Sequence, residues 1–306
     1  MTVVVLAGGT GGAKLARGVL DVVGPGELTV IANTGDDIEI HGGYVSPDPD
    51  LCTFWLADQI NDRGWGIDGD TFAVMDGLRA IGVDVWFNLG DRDLAICIDR
   101  ARRLAAGERL TTAHAALVEA LGVSATVLPM CDGPVRTRVR AAGTWRPFQD
   151  FMIRDGAQGP IEEVAFDGID AARATPEVLD AIAGATAVIV GPSNPIISIG
   201  PILAVPGIAD ALRATSAPVV AVSPIVGGTI VKGPSEAFME SAGLPLTAAG
   251  IATAYDGLLD GLVADEEAPG AGLPVIVTDT MMGDPDARAR VARSTLTFAE
   301  GLAQAR

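Results

Sequence analysis

The stretch from Thr2 to Ala32 constrains the fold more than any other part of the chain. Thr2 to Ala7 is a short, mostly β-branched run that stops at glycines. Ala13 to Val23 then carries Leu15, Val19, Leu20 and Val23 close to helical spacing, and Leu28 to Ala32 is a second buried-type run. A strand, a glycine-rich turn, a helix and a second strand in that order form a right-handed crossover, the opening of a doubly wound parallel sheet. The expected fold class is therefore α/β, a Rossmann-like doubly wound parallel sheet.

The rest of the chain extends this pattern. Parallel-type strands recur at Ala187 to Val190, Pro218 to Val222 and Pro274 to Thr278, and Pro285 to Ala303 reads as a closing helix. Asp91 to Ala106 is the clearest internal helix, with Leu94, Cys97, Ile98, Ala101, Leu104 and Ala105 on one face. Asp91 and Asp93 open it and Arg100, Arg102 and Arg103 close it, as the helix dipole favours. Around 135–170 the helical period gives way to alternation, Val135-Arg136-Thr137-Arg138-Val139-Arg140, which predicts a small antiparallel β insertion packed on the main sheet. No repeat, low-complexity tract or linker interrupts the pattern, so residues 1–306 read as a single domain.

Charge and composition exclude several functions. With 21 basic against 39 acidic residues the net charge is -18, unsuited to nucleic-acid backbones or anionic membrane surfaces. A phosphate ligand would have to be held locally, by amides, a few cations or a metal ion. The most apolar long stretch, Ala187 to Ala209, contains Ser193, Asn194, Ser198 and four prolines, which no membrane helix would carry. Cys52, Cys97 and Cys131 are far apart with no CxxC pair, and Met1 leads directly into Val3-Val4-Val5-Leu6 without a basic leader. Free thiols and no leader point to the cytoplasm. His41 and His114 are the only histidines, which argues against multi-histidine zinc and leaves carboxylates as the metal ligands to expect.

Gly8-Gly9-Thr10-Gly11-Gly12 lies between the first strand and first helix, where backbone N–H groups can approach a phosphate. It is neither of the common phosphate loops: Lys14 stands where a dinucleotide fingerprint needs glycine, and Ala13 separates Gly12 from Lys14. The chain's two lysines, Lys14 and Lys232, each fall beside a glycine-rich loop, where an ammonium suits a phosphate. Asn33-Thr34-Gly35-Asp36-Asp37 ends the second strand, and Ser46-Pro47-Asp48-Pro49-Asp50 is a second acidic turn. Four carboxylates in two turns suit a divalent cation, although aspartates are also common in turns for conformational reasons. Gly90-Asp91-Arg92-Asp93 opens the internal helix. Gly191 to Pro201 and Ser223-Pro224-Ile225-Val226-Gly227-Gly228 follow adjacent strands and should form one wall of a pocket.

Taken together, Gly-Gly-Thr-Gly-Gly, Asn-Thr-Gly-Asp-Asp, Ser-Pro-Asp-x-Asp, Gly-Asp-Arg-Asp, Gly-Pro-Ser-Asn-Pro-Ile-x-Ser-Ile-Gly-Pro-Ile-Leu and Ser-Pro-Ile-x-Gly resemble the 2-phospho-L-lactate transferase family, CofD in archaea and FbiA in actinobacteria. Order and spacing fit from residue 3 to beyond residue 260, and the Gly191 to Leu203 run, with Phe148-Gln149-Asp150-Phe151 upstream, is the most specific part. The resemblance implies transfer of a phospholactyl, phosphoenolpyruvyl or phosphoglyceryl group from a diphospho-guanosine donor to the deazaflavin alcohol Fo, releasing GMP and requiring Mg2+. It implies nucleotide binding by Gly8, Gly9, Thr10, Gly11, Gly12, Lys14, Ser193, Asn194, Pro195, Ser223, Gly227 and Gly228. It further implies a metal near Asp36 and Asp50, Fo at Asp50 and Arg92, and a homodimer; Asp50 is the candidate to take the acceptor's proton. Arg92, a cation in the first turn of a helix, is expected to be held there by Asp48, Asp50 or a ligand.

Departures from the family pattern fall at Pro49, for the usual Leu, at Leu51, for the usual Thr, and at Ala95-Ile96-Cys97, where Ala-Thr-His is frequent. The competing reading is a YvcK-like UDP-sugar-binding regulatory protein, which shares the opening glycine loop.

Overall fold

The computed structural model of the chain describes residues 1–230 and 235–305. Seven strands share one sheet: β1 (Val3–Ala7), β2 (Leu28–Ala32), β3 (Thr126–Pro129), β4 (Ala187–Val190), β5 (Val219–Val222), β6 (Gly261–Ala264) and β7 (Val275–Val277). Their order is β7-β6-β5-β4-β1-β2-β3, with every neighbouring pair parallel. The chain moves outward from β1 to β3, returns to the middle, and moves outward the other way from β4 to β7. The strand order reverses between β1 and β4, and the turns that follow these two strands meet at their carboxyl ends, the switch point at which open sheets of this kind place ligands.

The β-branched runs are buried on both faces, as helices on either side of a parallel sheet require. Val3, Val5 and Ala7 of β1 face one core, while Val4 and Leu6 face the other, so the two-residue period divides one strand between two hydrophobic clusters. Leu6 is fully buried, and truncating such a residue to alanine costs about 2–5 kcal/mol. On the first face pack α1 (Gly9–Val23), α2 (Pro47–Leu56) and α4 (Pro285–Ala305). A further helix, α3 (Asp91–Ala105), lies over a two-stranded hairpin, Ile38–Ile40 with Gly43–Val45.

The antiparallel sheet falls within the expected stretch, with Arg136–Ala141 between Thr144–Pro147 and Ile161–Asp167. It is tied to the turn after β2: Thr137 N–H donates to Gly35 O at 2.7 Å and Gln149 Nε2 to Asp36 O at 2.9 Å. Three local expectations need correction. The glycine run is the first turn of α1, which begins at Gly9 and not at Ala13. Ser46 to Asp50 is the cap and first turn of α2, with Pro47 at a position whose N–H no helix uses. Strands β3 and β6 were absent from the pattern-based reading. Among the described residues no single helix is long and apolar enough to cross a membrane, and Cys52, Cys97 and Cys131 are free and buried.

Candidate active site

The site is built from the first turns that follow β1, β2 and β4. Gly8 caps α1 in an extended conformation, and Ser193, just past β4, donates its hydroxyl to Gly8 O. Gly11 has no room for a side chain, since a Cβ there would lie 2.1 Å from Pro192 O. The glycine motif thus lets the β4 loop lie directly against the start of α1. Asn194 caps the next segment: its Oδ1 accepts from Ile196 N (2.8 Å) and Ile197 N (3.1 Å), and Ile199 N reaches back to Asn194 O in a wide π-type turn that contains Pro195. The expected loop is therefore a capped helical turn. Beyond β5, Ser223 Oγ accepts from Ile225 N at 3.2 Å, and Gly227-Gly228, both with positive φ, form the two-residue turn of a hairpin joining Ile225–Val226 to Thr229–Ile230.

Asn33 is the hub of this edge. Its backbone N–H continues the sheet to Ala7 O, its Nδ2 donates to Asp48 Oδ2 at 3.0 Å and to Ile197 O at 3.5 Å, and its Oδ1 accepts from Gly35 N at 2.7 Å. The other oxygen of Asp48 accepts from Gly9 N at 2.7 Å, so a carboxylate from α2 caps the glycine-rich start of α1. Asp36 lies beside Asp48, close enough for the two charges to oppose one another.

The electrostatics follow from burial. Asp36 is held well above the usual carboxylate range, first by desolvation and then by the Asp48 charge. Desolvation raises Asp48 to about 6 against the pull of the Gly9 amide and Asn33, and raises Asp37 to about 7 against Arg136 and Ser46. One oxygen of Asp37 accepts from Ser46 Oγ at 2.8 Å while the other, Oδ2, is buried without a partner. Asp50 is different. Arg100 grips both its oxygens, Nη1 to Oδ2 at 3.0 Å and Nη2 to Oδ1, with side-chain exposures of 2% for Arg100 and 4% for Asp50. Burial pushes the Asp50 carboxyl up and the guanidinium pulls it back. His114, fully buried and with its pKa lowered by burial and by Arg100, bonds Thr53 Oγ1 through Nε2 at 3.1 Å and leaves Nδ1 3.9 Å from Asp50.

Asp93 joins this group from the start of α3: Asp50, Asp93 and Cys97 present ligand-type atoms within 4.8 Å of one another. Burial and then the Asp50 charge raise Asp93 to about 7. Arg92, its neighbour, does not reach Asp48 or Asp50 as expected; Nη1 donates to Asp68 O at 3.1 Å. Asp70 caps α3, accepting from Arg92 N at 2.9 Å and Asp93 N at 3.1 Å, and Gly90 is required because a Cβ there would meet Asp70 Oδ2 at 2.1 Å. Lys14 is one turn inside α1, its ammonium 5.7 Å from the Trp55 ring centre; Lys232 lies outside the described residues. Asn33, Asp93, Arg100 and Gln149 were not singled out as site residues. Asn33, Asp93 and Gln149 lie inside the motifs Asn33 to Asp37, Gly90 to Asp93 and Phe148 to Phe151, and Arg100 lies in step with Leu94 and Cys97 on the buried stripe of α3.

A doubly wound parallel sheet with an acidic, glycine-lined junction at its switch point defines the class of protein. Within that class, residues 3–274 match the family described as 2-phospho-L-lactate transferase CofD. The chain belongs to this family, and is a phosphate-group transferase of the lactate or phosphoenolpyruvate type that serves coenzyme F420 biosynthesis. It is 40% identical to a phosphoenolpyruvate transferase of Streptomyces griseus over 98% of this chain and 99% of that protein. Against a 2-phospho-L-lactate transferase of Methanosarcina mazei the identity is 38%, covering 86% of each. A crystallographically solved protein of Bacillus halodurans superposes with a TM-score of 0.65 over 96% of this chain and 99% of its own, at 17% identity, and shares the fold.

Proposed function

We propose that the chain transfers a phospho-linked acid from a diphospho-guanosine donor to the alcohol of Fo, giving F420-0 or dehydro-F420-0 and GMP. The observation that carries this reading is the junction at the switch point, where the glycine-rich start of α1, the capped turn after β4 and the buried carboxylate Asp48 are tied together through Asn33 and Ser193, with Asp36 beside Asp48. Among the three acids, enolpyruvate is favoured, because bacterial relatives spanning 98% of the chain carry the name phosphoenolpyruvate transferase.

In this reading Gly8 to Gly12, Lys14, Ser193 to Pro195, Ser223, Gly227 and Gly228 hold the guanosine diphosphate part. Mg2+ suits the carboxylates present: Asp36 is pushed up first by burial and then by the charges of Asp48 and Asp37, and Asp37 Oδ2 is orphaned. Asp36 and Asp50 are the residues proposed to hold the ion, although the ligand-type atoms that lie within 4.8 Å of one another among the described residues are those of Asp50, Asp93 and Cys97; when bound, the ion would offset the diphosphate charge. The acceptor hydroxyl, held by Asp50 and Arg92, gives its proton to the Asp50 carboxylate as its oxygen attacks phosphorus in line, and the phosphorus–oxygen bond to GMP breaks. The enzyme works in the cytoplasm as a homodimer.

The test is to supply Fo with each of the three donors and weigh the products by mass spectrometry, with EDTA and then with Mg2+ restored. The enolpyruvyl product should dominate and vanish in chelator. Calorimetry should show GDP binding at least about tenfold tighter than UDP, a difference of ~1.4 kcal/mol. A preference for UDP or UDP-sugars with no turnover would instead support the YvcK-like regulatory reading.

A further inference from the structure

Two side chains of the antiparallel insertion close on the turn that follows β2. We propose that Thr137 and Gln149 are positioning residues, holding Asp36 where it meets a divalent cation. This rests on the metal reading of Asp36 given above and assigns the insertion a part in it.

The shortest contacts go to the main chain. Thr137 N–H donates to Gly35 O at 2.7 Å and Gln149 Nε2 to Asp36 O at 2.9 Å. The peptide units on both sides of the Asp36 Cα are therefore pinned, and neither bond takes up a carboxylate oxygen. Thr137 Oγ1 lies 3.5 Å from Asp36 Oδ1, at the outer limit of a hydrogen bond. A Cβ on Gly35 would lie 2.7 Å from Thr137 Oγ1 and 3.1 Å from Pro201 Cβ, so the insertion and the segment after β4 close on the turn together and glycine is what fits. From within, Asn33 Oδ1 accepts from Gly35 N at 2.7 Å.

The two donors are themselves anchored. Thr137 is buried, and Val139, on the same face of its strand, shares one hydrophobic cluster with Phe148, Phe151, Ile197 and Phe238. Phe148 and Phe151 flank Gln149, and their rings lie 6.4 and 6.1 Å from that of Phe238. Asp36 is 9% exposed and sits beside the Asp48 charge, so an ionised carboxylate there is unfavourable until a cation joins it. A turn free to move would carry that carboxylate out to water. Pinning its main chain keeps it in, which serves a cation site and does nothing for the fold alone. The glutamine of Phe148-Gln149-Asp150-Phe151, which the nucleotide and acceptor readings leave without a part, gains one.

Mn2+ takes the same kinds of oxygen ligand as Mg2+ and, when free, is counted by its paramagnetic resonance, so it reports binding without turnover. Wild type, Gln149→Met, Thr137→Val, Thr137→Ser, Asp36→Asn and Gln158→Met, the last at an exposed glutamine of the same insertion, are titrated with Mn2+ at saturating GDP against a blank of GDP alone. GDP affinity is measured separately in EDTA. Gln149→Met keeps the length of the side chain and loses the N–H; Thr137→Val keeps the branched shape and loses the hydroxyl. The first should weaken Mn2+ by about tenfold and the second by about threefold, while Thr137→Ser and Gln158→Met change it by less than about twofold. GDP affinity in EDTA should stay within about twofold throughout. The two Thr137 variants decide the matter even if Gln149→Met does not fold. Wild-type Mn2+ affinity in Gln149→Met and Thr137→Val, beside a loss in Asp36→Asn, overturns the inference and leaves the metal reading standing. Equal Mn2+ affinity in wild type and Asp36→Asn removes the cation from Asp36, and the inference falls with it. A loss of GDP affinity in EDTA as large as the loss of Mn2+ affinity would make the two residues supports of the whole site and overturn their particular role at Asp36.

Discussion

Two sets of aspartates look alike in the sequence and differ in the fold, with Asp48 common to both because it is buried and also caps α1. Asp70 and Asp91 lie near the surface and cap helices. Asp70 accepts from the first amides of α3, while Asp91 accepts from Ala73 N and Val74 N, both at 2.9 Å, at the start of the helix Ala73–Ala80. The Thr71 hydroxyl and those amides hold the Asp91 carboxyl below the usual range, so its charge is welcome where it is. Asp36, Asp37, Asp48, Asp50 and Asp93 are raised, in each case chiefly by burial. A capping carboxylate stabilises the fold with its charge on; a buried one is tolerated only with a cation, a proton or a ligand beside it. That contrast separates scaffold from site more sharply than the motifs do.

The largest expected effect comes from breaking the one buried pair that carries its own cation. Arg100→Met leaves Asp50 uncompensated, and Asp50→Asn leaves Arg100 so; each should cost about 3–5 kcal/mol in urea unfolding. The double variant should recover a large part of that loss, because two neutral side chains no longer need one another. If both singles unfold like wild type, the pair does not hold this region together, and the contrast between buried and capping carboxylates loses its main support.

The next effect is a pH dependence whose sign follows from Asp93. Its folded pKa of about 7 lies above the unfolded value, so between roughly pH 4 and 7 the folded state keeps a proton that the unfolded state has lost. Stability is full below that window and falls as pH rises through it, by on the order of 2–4 kcal/mol from this residue. Asp36, Asp37 and Asp48 add to the same slope. Asp93→Asn should match wild type near pH 4 and exceed it near pH 8 in chemical denaturation. A variant that is no more stable than wild type at pH 8 would show that Asp93 is not buried as a burden.

Much of the contrast was readable beforehand, and the unreadable part has a physical reason. The apolar, β-branched runs predicted five of the seven strands because strands buried on both faces have little else to be. β3 and β6 escaped because Thr126–Pro129 runs into a proline and Gly261–Ala264 opens on a glycine, residues that read as breakers and not as strand. Asp36 and Asp50 were marked by their turns, but turn chemistry cannot tell a capping aspartate from a buried one. Arg100 was read as a complement to the helix dipole, whereas its place in step with Leu94 and Cys97 put it inside the protein. Asp70 gave no local signal, since the groups it meets are distant in the chain.

A smaller effect should appear in kinetics. Asp50→Asn, assayed on folded protein at low temperature, should lower turnover at least about tenfold while GDP affinity stays within about threefold, under ~1 kcal/mol. Arg92→Ala should weaken Fo, followed by its fluorescence, by a similar order, because a charged hydrogen bond contributes about 1.5–3 kcal/mol. Normal Fo binding and turnover in both would place the acceptor elsewhere.

The smallest effect tests the capping side. Asp70→Ala removes the carboxylate from Arg92 N and Asp93 N and leaves the start of α3 to water. Loss of an N-terminal cap costs about 0.5–2 kcal/mol, so the variant should melt a few degrees lower and refold reversibly. It should also leave GDP affinity unchanged, since Asp70 touches α3 and not the switch point of the sheet. Chemical denaturation beside a GDP titration checks both statements. A deficit as large as that of Arg100→Met, or a loss of nucleotide binding, would mean that Asp70 belongs with the buried carboxylates, and that the line between cap and site runs elsewhere than drawn.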